Sequence, residues 1–265
     1  MSLHLASYMK QNEAIKNPRV VIVQKLYGNH LNKDSEITFP KHRYKKFIKD
    51  VVNGTIERKD GKHVVFRDYF GNKVIKPPKE NYMTPKVHVY RSDIRFMDGA
   101  KTPWATKVTE LSYNEEYLHS VAMLAAVYAE KNGHKVLVVS DRVAFLKSCA
   151  ELTGEKALCV TGEIPQEERE RLINELRFGN KNVLYGTQAI FSEGISINEL
   201  SCLILGTPIN NEPLLTQLIG RIIRKEENKL TPVIIDIHLK GDTARRQASN
   251  RVGYYMKQGY QIKEL

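Results

Sequence analysis

The chain is poor in cysteine, in tryptophan and in long apolar runs, and each shortage excludes a class of function. Its three cysteines, Cys149, Cys159 and Cys202, are odd in number and none stands in a CxxC pair. Neither a disulfide framework nor a cysteine zinc site is expected, and a reducing compartment follows. No apolar run approaches the roughly 20 residues that cross a bilayer. The start, MSLHLASYMK, has no basic stretch followed by a long apolar one, so a secretory signal is not expected there. Two further absences concern chemistry. No G-x-x-x-x-G-K-[ST] phosphate loop occurs, since the only GK pair, Gly61-Lys62, follows Asp60 in a turn and continues to His63. Nor is there a D-E-x-[DH] run to hold Mg²⁺. A chain lacking both holds at most half of a phosphoryl-transfer apparatus.

What is present is unevenly charged. The formal net charge is +11. Residues 1–110 carry 22 Lys and Arg against 11 Asp and Glu, while residues 111–265 balance at 19 of each, so the whole excess lies in the first part. Two readings stand side by side: a polyanion contact that releases counterions, and a solvated basic surface.

The two parts also differ in pattern. From residue 114 onward amphipathic helices alternate with short apolar strands. Strands are expected at 136–140, 157–160, 182–186, 201–206 and 232–237, with helices at 114–133 (closed by Gly133), 142–151, 165–179, 213–223 and 241–258. That alternation predicts a parallel, doubly wound α/β sheet over residues 111–265. Residues 1–110 read as a smaller basic α+β segment leading into it. They hold a strand at 19–23, a basic helix at 41–52 and, at 55–75 around the turns Asp60-Gly61 and Gly71-Asn72, a β-hairpin or three-stranded meander, the last two within an insertion of about 41–85.

Candidate chemistry gathers in the second part. Gln217, Gly220, Arg221 and Arg224 fall at i, i+3, i+4 and i+7, one face of a helix. Two guanidiniums beside a glycine and an amide suit a grip on phosphate; the plain alternative is a solvated helix face. Thr187 stands just past the strand at 182–186, and Glu193, Gly194 and Ser196 follow in the next loop, where an open sheet presents backbone N–H groups to phosphates. His88, His134 and His238 are scattered without ligand spacing. Trp104, the single tryptophan, has two readings, a base-stacking platform and a packing anchor.

These residues, in this order, resemble the second RecA-like lobe of superfamily 2 helicases. VLVVSDR (136–142) is similar to motif IV, TQAIFSEGISI (187–197) to motif V and QLIGRIIR (217–224) to motif VI, with CVTGEIPQEERERLINELRFGNKNVLYGTQ (159–188) leading from the motif IVa region into motif V. The match is most similar to phage branch-migration and XPB-like DNA helicases. DEAD-box RNA helicases open motif VI with histidine, where this chain has Gln217.

The resemblance implies that Arg224 is an arginine finger, with Arg221 beside it and Gln217 near the nucleotide or its water. Gly194, Glu193, Ser196 and Gly220 would line the ATP edge. Thr187, Ser140, Arg142, Thr161 and Gly162 would hold nucleic-acid phosphates; apart from the resemblance, the basic excess of residues 1–110 adds Arg43, Lys46 and Lys49 of the helix at 41–52 as expected phosphate contacts. Many relatives carry aspartate where Ser196 stands, so the contact to ribose is weaker here. ATP and Mg²⁺ are the implied cofactors, bound mainly by a first lobe that would precede residue 1. The expected partners are DNA and that lobe, not a membrane, and the expected location is the cytoplasm of a bacterial or phage-infected cell, or a nucleus. Without its first lobe the chain is expected to be inactive as an ATPase. Two other readings are weighed against this one. A stand-alone nucleic-acid-binding or regulatory module would not need a finger. A Rossmann-type enzyme would need a glycine-rich turn after its first strand, and VSDRVAFL has none.

Overall fold

The computed structural model describes residues 81–99, 101–192 and 197–265. The expected strand at 19–23, basic helix at 41–52 and hairpin at 55–75 lie outside the described residues, as do Arg43, Lys46, Lys49, Glu193, Gly194 and Ser196.

Seven strands form one sheet in which every pairing is parallel. In chain order they are β1 (Lys86–Arg95), β2 (Lys135–Ser140), β3 (Ala157–Val160), β4 (Val183–Thr187), β5 (Leu200–Leu205), β6 (Val233–Lys240) and β7 (Gln261–Glu264), and across the sheet they lie β3-β4-β2-β5-β6-β1-β7. The helices are α1 (Trp104–Ser112), α2 (Glu115–Glu130), α3 (Val143–Thr153), α4 (Gln166–Phe178), α5 (Gln188–Ser192), α6 (Glu212–Ile222) and α7 (Asp242–Lys257).

The strand sequences explain why the sheet is covered on both sides. In β2, Val136 and Val138 join one apolar cluster with α1, α2 and α3, while Leu137 and Val139 join a second with α4, α5, α6 and α7. All four are fully buried, as a sheet packed on two faces requires. Local signals set the ends. Asn114 caps α2, its side chain accepting from Tyr117 N at 2.8 Å, and two acidic residues in the first turn complement the helix dipole. Gly133 takes φ +70° just past that helix, which glycine adopts without penalty.

Two strands lie outside the five expected. The sheet includes β1 between β6 and β7, so it takes in residues N-terminal to 111, where the sequence reading begins the lobe. The reason is the position of these strands. KVHVYRSDIR alternates apolar with polar residues, and QIKE is largely exposed; a polar edge strand guards the sheet against further pairing and leaves little apolar signal.

Candidate nucleotide and nucleic-acid face

The site is set by where the loops diverge. Strand β2 continues into α3 on one face of the sheet, whereas its neighbour β4 continues into α5 on the other. A crevice opens outside the carboxyl ends of such a strand pair, the usual ligand position in an open α/β sheet. Ser140 and Thr187 are register partners at that point.

The predicted phosphate-binding residues gather along this edge with different roles. Thr187 is half-buried at the end of β4. The Ser140 side chain is fully buried and turned inward: its hydroxyl lies 3.1 Å from that of Thr207 and accepts from Arg142 N at 3.1 Å. That hydroxyl braces the loop after β2. Arg142 is half-buried and donates from Nη2 to the Ala105 carbonyl at 3.0 Å. Thr161 is also buried, and its hydroxyl has no hydrogen-bond partner, an uncommon and costly state for such a group. Gly162 beside it is exposed, with nothing within 4 Å of where a Cβ would stand. Within β4, Gly186 admits no side chain: a Cβ there would sit 2.4 Å from the Phe191 ring and 3.3 Å from the Val160 carbonyl.

On α6, buried Leu215, Leu218, Ile219 and Ile222 face the core, while Gln217, Gly220 and Arg221 lie half-buried on the other side. Gly220 faces open space, and a Cβ added to it would meet no atom within 4 Å. The expectation of four residues on one helix face needs correction. The helix ends at Ile222 with Ile223 as its cap, and Arg224 lies beyond it in a short antiparallel bridge with Tyr82. Here another segment captures the backbone: Met83 N donates to the Ile223 carbonyl at 2.7 Å and Lys225 N to the Asn81 carbonyl at 2.9 Å. Burial lowers the affinity of the Arg221 guanidinium for its proton, and the Arg224 charge lowers it further. Arg224 also lines an open cleft of about 530 Å³ with Asn81, Tyr82, Asn198, Lys225, Glu226 and Glu227.

The sequence reading passed over Asn81–Met83 and Lys229, both of which fix Arg224. The Lys229 ammonium donates to the carbonyls of Asn198, at 2.6 Å, and Arg224, at 2.8 Å. It thus ties the stretch after the motif V region to the end of motif VI. Burial brings Lys229 down to about 8, against the pull of Glu226 and Glu199 and with a further push from Arg224. An unfolded lysine holds its proton to about pH 10.4. Between these values the unfolded chain binds more protons, so stability contributed by Lys229 rises with pH. Urea midpoints of the wild type should therefore gain on those of Lys229→Met across that window; parallel pH trends would mean that Lys229 is solvated.

Among the described residues no three His, Cys, Asp or Glu side chains gather as metal ligands, and no helix is long and apolar enough to cross a membrane.

With this geometry established, similarity to known proteins takes on meaning. The family described as helicase conserved C-terminal domain matches residues 118–226. The chain is 39% identical over 212 residues to the probable helicase D10 of Escherichia phage T5, covering 79% of this chain and 47% of the relative. It is 24% identical over 159 residues to the ATP-dependent DNA helicase uvsW of Enterobacteria phage T4, covering 59% of this chain and 31% of the relative. The crystal structure of T4 UvsW matches 68% of this chain and 41% of its own, with a TM-score of 0.54 at 18% identity. The chain spans less than half the length of each of these relatives.

Proposed function

The chain carries the C-terminal RecA-like lobe of a superfamily 2 helicase, and from that premise we propose that it is half of an ATP-driven DNA motor, supplying an arginine finger and a phosphate track. The observation that carries this reading is the position of Arg224, which lines an open cleft just past the helix that bears Gln217, Gly220 and Arg221. A guanidinium at such an opening suits a grip on a phosphate. Gly220 on that helix faces open space.

In this reading Arg224 neutralises charge that develops on the transferred phosphoryl group, Arg221 grips the adjoining phosphate, and Gln217 orients the attacking water or the nucleotide. Arg224 is positioned by the Asn81–Met83 pairing and by Lys229. The first lobe supplies the phosphate loop and the Mg²⁺ ligands, which this sequence lacks. Thr187, Arg142 and the Gly162 backbone hold the DNA backbone, which positions the strand without reading its sequence. Ser140 acts one step removed, by shaping the Arg142 loop. Glu193, Gly194 and Ser196 contact the nucleotide edge, and Arg43, Lys46 and Lys49 add sequence-independent phosphate contacts. DNA is favoured as the polymer by the T4 relative, named as a DNA helicase. The place of action is the cytoplasm of a bacterial or phage-infected cell, or a nucleus.

The direct test is ATP turnover by the 265-residue chain alone, with and without DNA. No stimulated hydrolysis is expected, because the sequence has neither a phosphate loop nor a D-E-x-[DH] run for Mg²⁺. Joined to a lobe bearing a phosphate loop, the same chain should give DNA-stimulated turnover. Hydrolysis by the chain alone, with contaminating ATPases excluded, would overturn the half-motor reading.

A further inference from the structure

The first turn of α1 is exposed from Pro103 to Thr106, and it meets the carboxyl edge of the sheet at two points. On one side the Ala105 carbonyl accepts from Arg142, just past β2, at 3.0 Å. On the other the buried Lys107 ammonium donates to Thr243 Oγ1, just past β6, at 3.4 Å. Trp104, the single tryptophan, opens this turn and is 39% exposed. Its inner side rests on the fully buried Phe96 ring, with centroids 5.3 Å apart and planes inclined by 51°.

We propose that Trp104 is a stacking platform for an unpaired base of the nucleic-acid strand whose backbone Arg142 holds. The inference rests on the phosphate role proposed for Arg142 and adds a contact of a different chemical kind. A single-strand site combines cations that follow the backbone with aromatic rings that receive bases, and every base has a face to offer. Trp104 meets both geometric needs. It lies next in sequence to the residue whose carbonyl Arg142 grips, so both belong to the same turn of α1 at the carboxyl edge. The Phe96 ring beneath and the anchoring of the same helical turn by Lys107 hold the indole still, so little freedom is lost when a base lands on it. Packing alone would account for a buried tryptophan, yet this residue is exposed on the turn that meets the edge where the strand is proposed to run. The ligand class is therefore single-stranded nucleic acid, held without sequence preference.

Because the chain has one tryptophan, its emission reports on this position alone when excited beyond the tyrosine band. The full chain is titrated with a thymidine oligonucleotide and with an abasic oligonucleotide of equal length, and binding is followed in parallel by anisotropy of labelled strands. The thymidine strand should quench Trp104, and the abasic strand should bind without quenching. Trp104→Leu, which keeps an apolar cover on Phe96, should weaken the thymidine strand by about 5- to 150-fold, the equivalent of one lost stacking contact, and leave the abasic strand unchanged. Trp104→Phe should restore most of the loss. Circular dichroism confirms that each variant folds. Unquenched emission at saturating thymidine strand, equal loss on both strands, or no binding of the thymidine strand would overturn the proposal. Arg142→Ala should weaken both strands alike; if it weakens neither while Trp104→Leu still discriminates, the phosphate role of Arg142 fails and the platform stands.

Discussion

Arg224→Ala in the complete two-lobed enzyme is expected to lower kcat for ATP by about 10³- to 10⁵-fold, the range spanned by removal of an arginine finger, with KM for ATP little changed. The split follows from when the interaction forms. A finger meets charge that grows in the transition state, so its loss raises the barrier without weakening ground-state binding. The position of Arg224 sharpens this expectation. It does not ride on α6 but lies just past the helix, paired to Tyr82 and with its carbonyl held by Lys229, so its backbone is fixed independently of its side chain. Truncation to alanine should accordingly leave the fold intact, and thermal unfolding of the variant should match the wild type. Arg221→Lys should also be costly, because an ammonium cannot reproduce the bidentate fork. Single-turnover kinetics with both lobes present gives the answer. A kcat within a few-fold of wild type would remove Arg224 from the transition state and leave the paired arginines as ground-state phosphate ligands.

Much of the frame that carries these residues is legible in the sequence alone, for a reason that differs by element. The central strands β2, β4 and β5 are apolar on both faces, because helices cover both, and such runs are hard to mistake. Helix α6 displays its motif because a buried stripe of Leu215, Leu218, Ile219 and Ile222 forces the polar set to the opposite side. The β1–β7 side of the sheet is harder to read. Lys86–Arg95 mixes three arginines and lysines into a strand that pairs on both sides, and its membership in the sheet depends on β6 and β7, which lie far along the chain. The same holds for Arg224. Helical spacing through residue 224 is sound local logic, but the backbone there is claimed by Asn81–Met83, some 140 residues earlier by sequence number, and no local pattern announces such a partner. Ser140 shows a third limit. A serine past a strand's carboxyl end has the right chemistry for a phosphate, and only the fold shows that Thr207 and Arg142 N engage its hydroxyl.

A second large effect is expected far from the cleft. Arg251→Met should destabilise the chain by about 3–5 kcal/mol, the cost of stranding a buried charge without its partner. Asp236 sits in the middle of β6 with no exposure, and Arg251 reaches it from α7 at 4% exposure. Nε lies 3.0 Å from both carboxylate oxygens, Nη2 lies 2.7 Å from Oδ1, and Nη1 donates to the Ile209 carbonyl at 3.4 Å. Burial alone would raise the Asp236 carboxyl, but Arg251, helped by His238, outweighs it and holds the group below its ordinary range. The pair is thus charged in the folded state. Its contribution is present above the unfolded aspartate range and is lost only as pH falls through the lowered folded value. One guanidinium joins a central strand, the last long helix and the turn that leads into α6, so its loss should also loosen the helix bearing Arg221. Removing both charges tests whether the damage comes from the stranded carboxylate. Asp236→Leu combined with Arg251→Met leaves no buried ion, and this double variant should recover most of the loss, as buried pairs replaced by apolar groups commonly do. Urea unfolding of the wild type, both single variants and the double variant closes the cycle. A single-variant loss below about 1 kcal/mol would place the pair among weakly contributing surface contacts, and a double variant no better than the singles would show that packing around Ile209, not charge, holds this corner together.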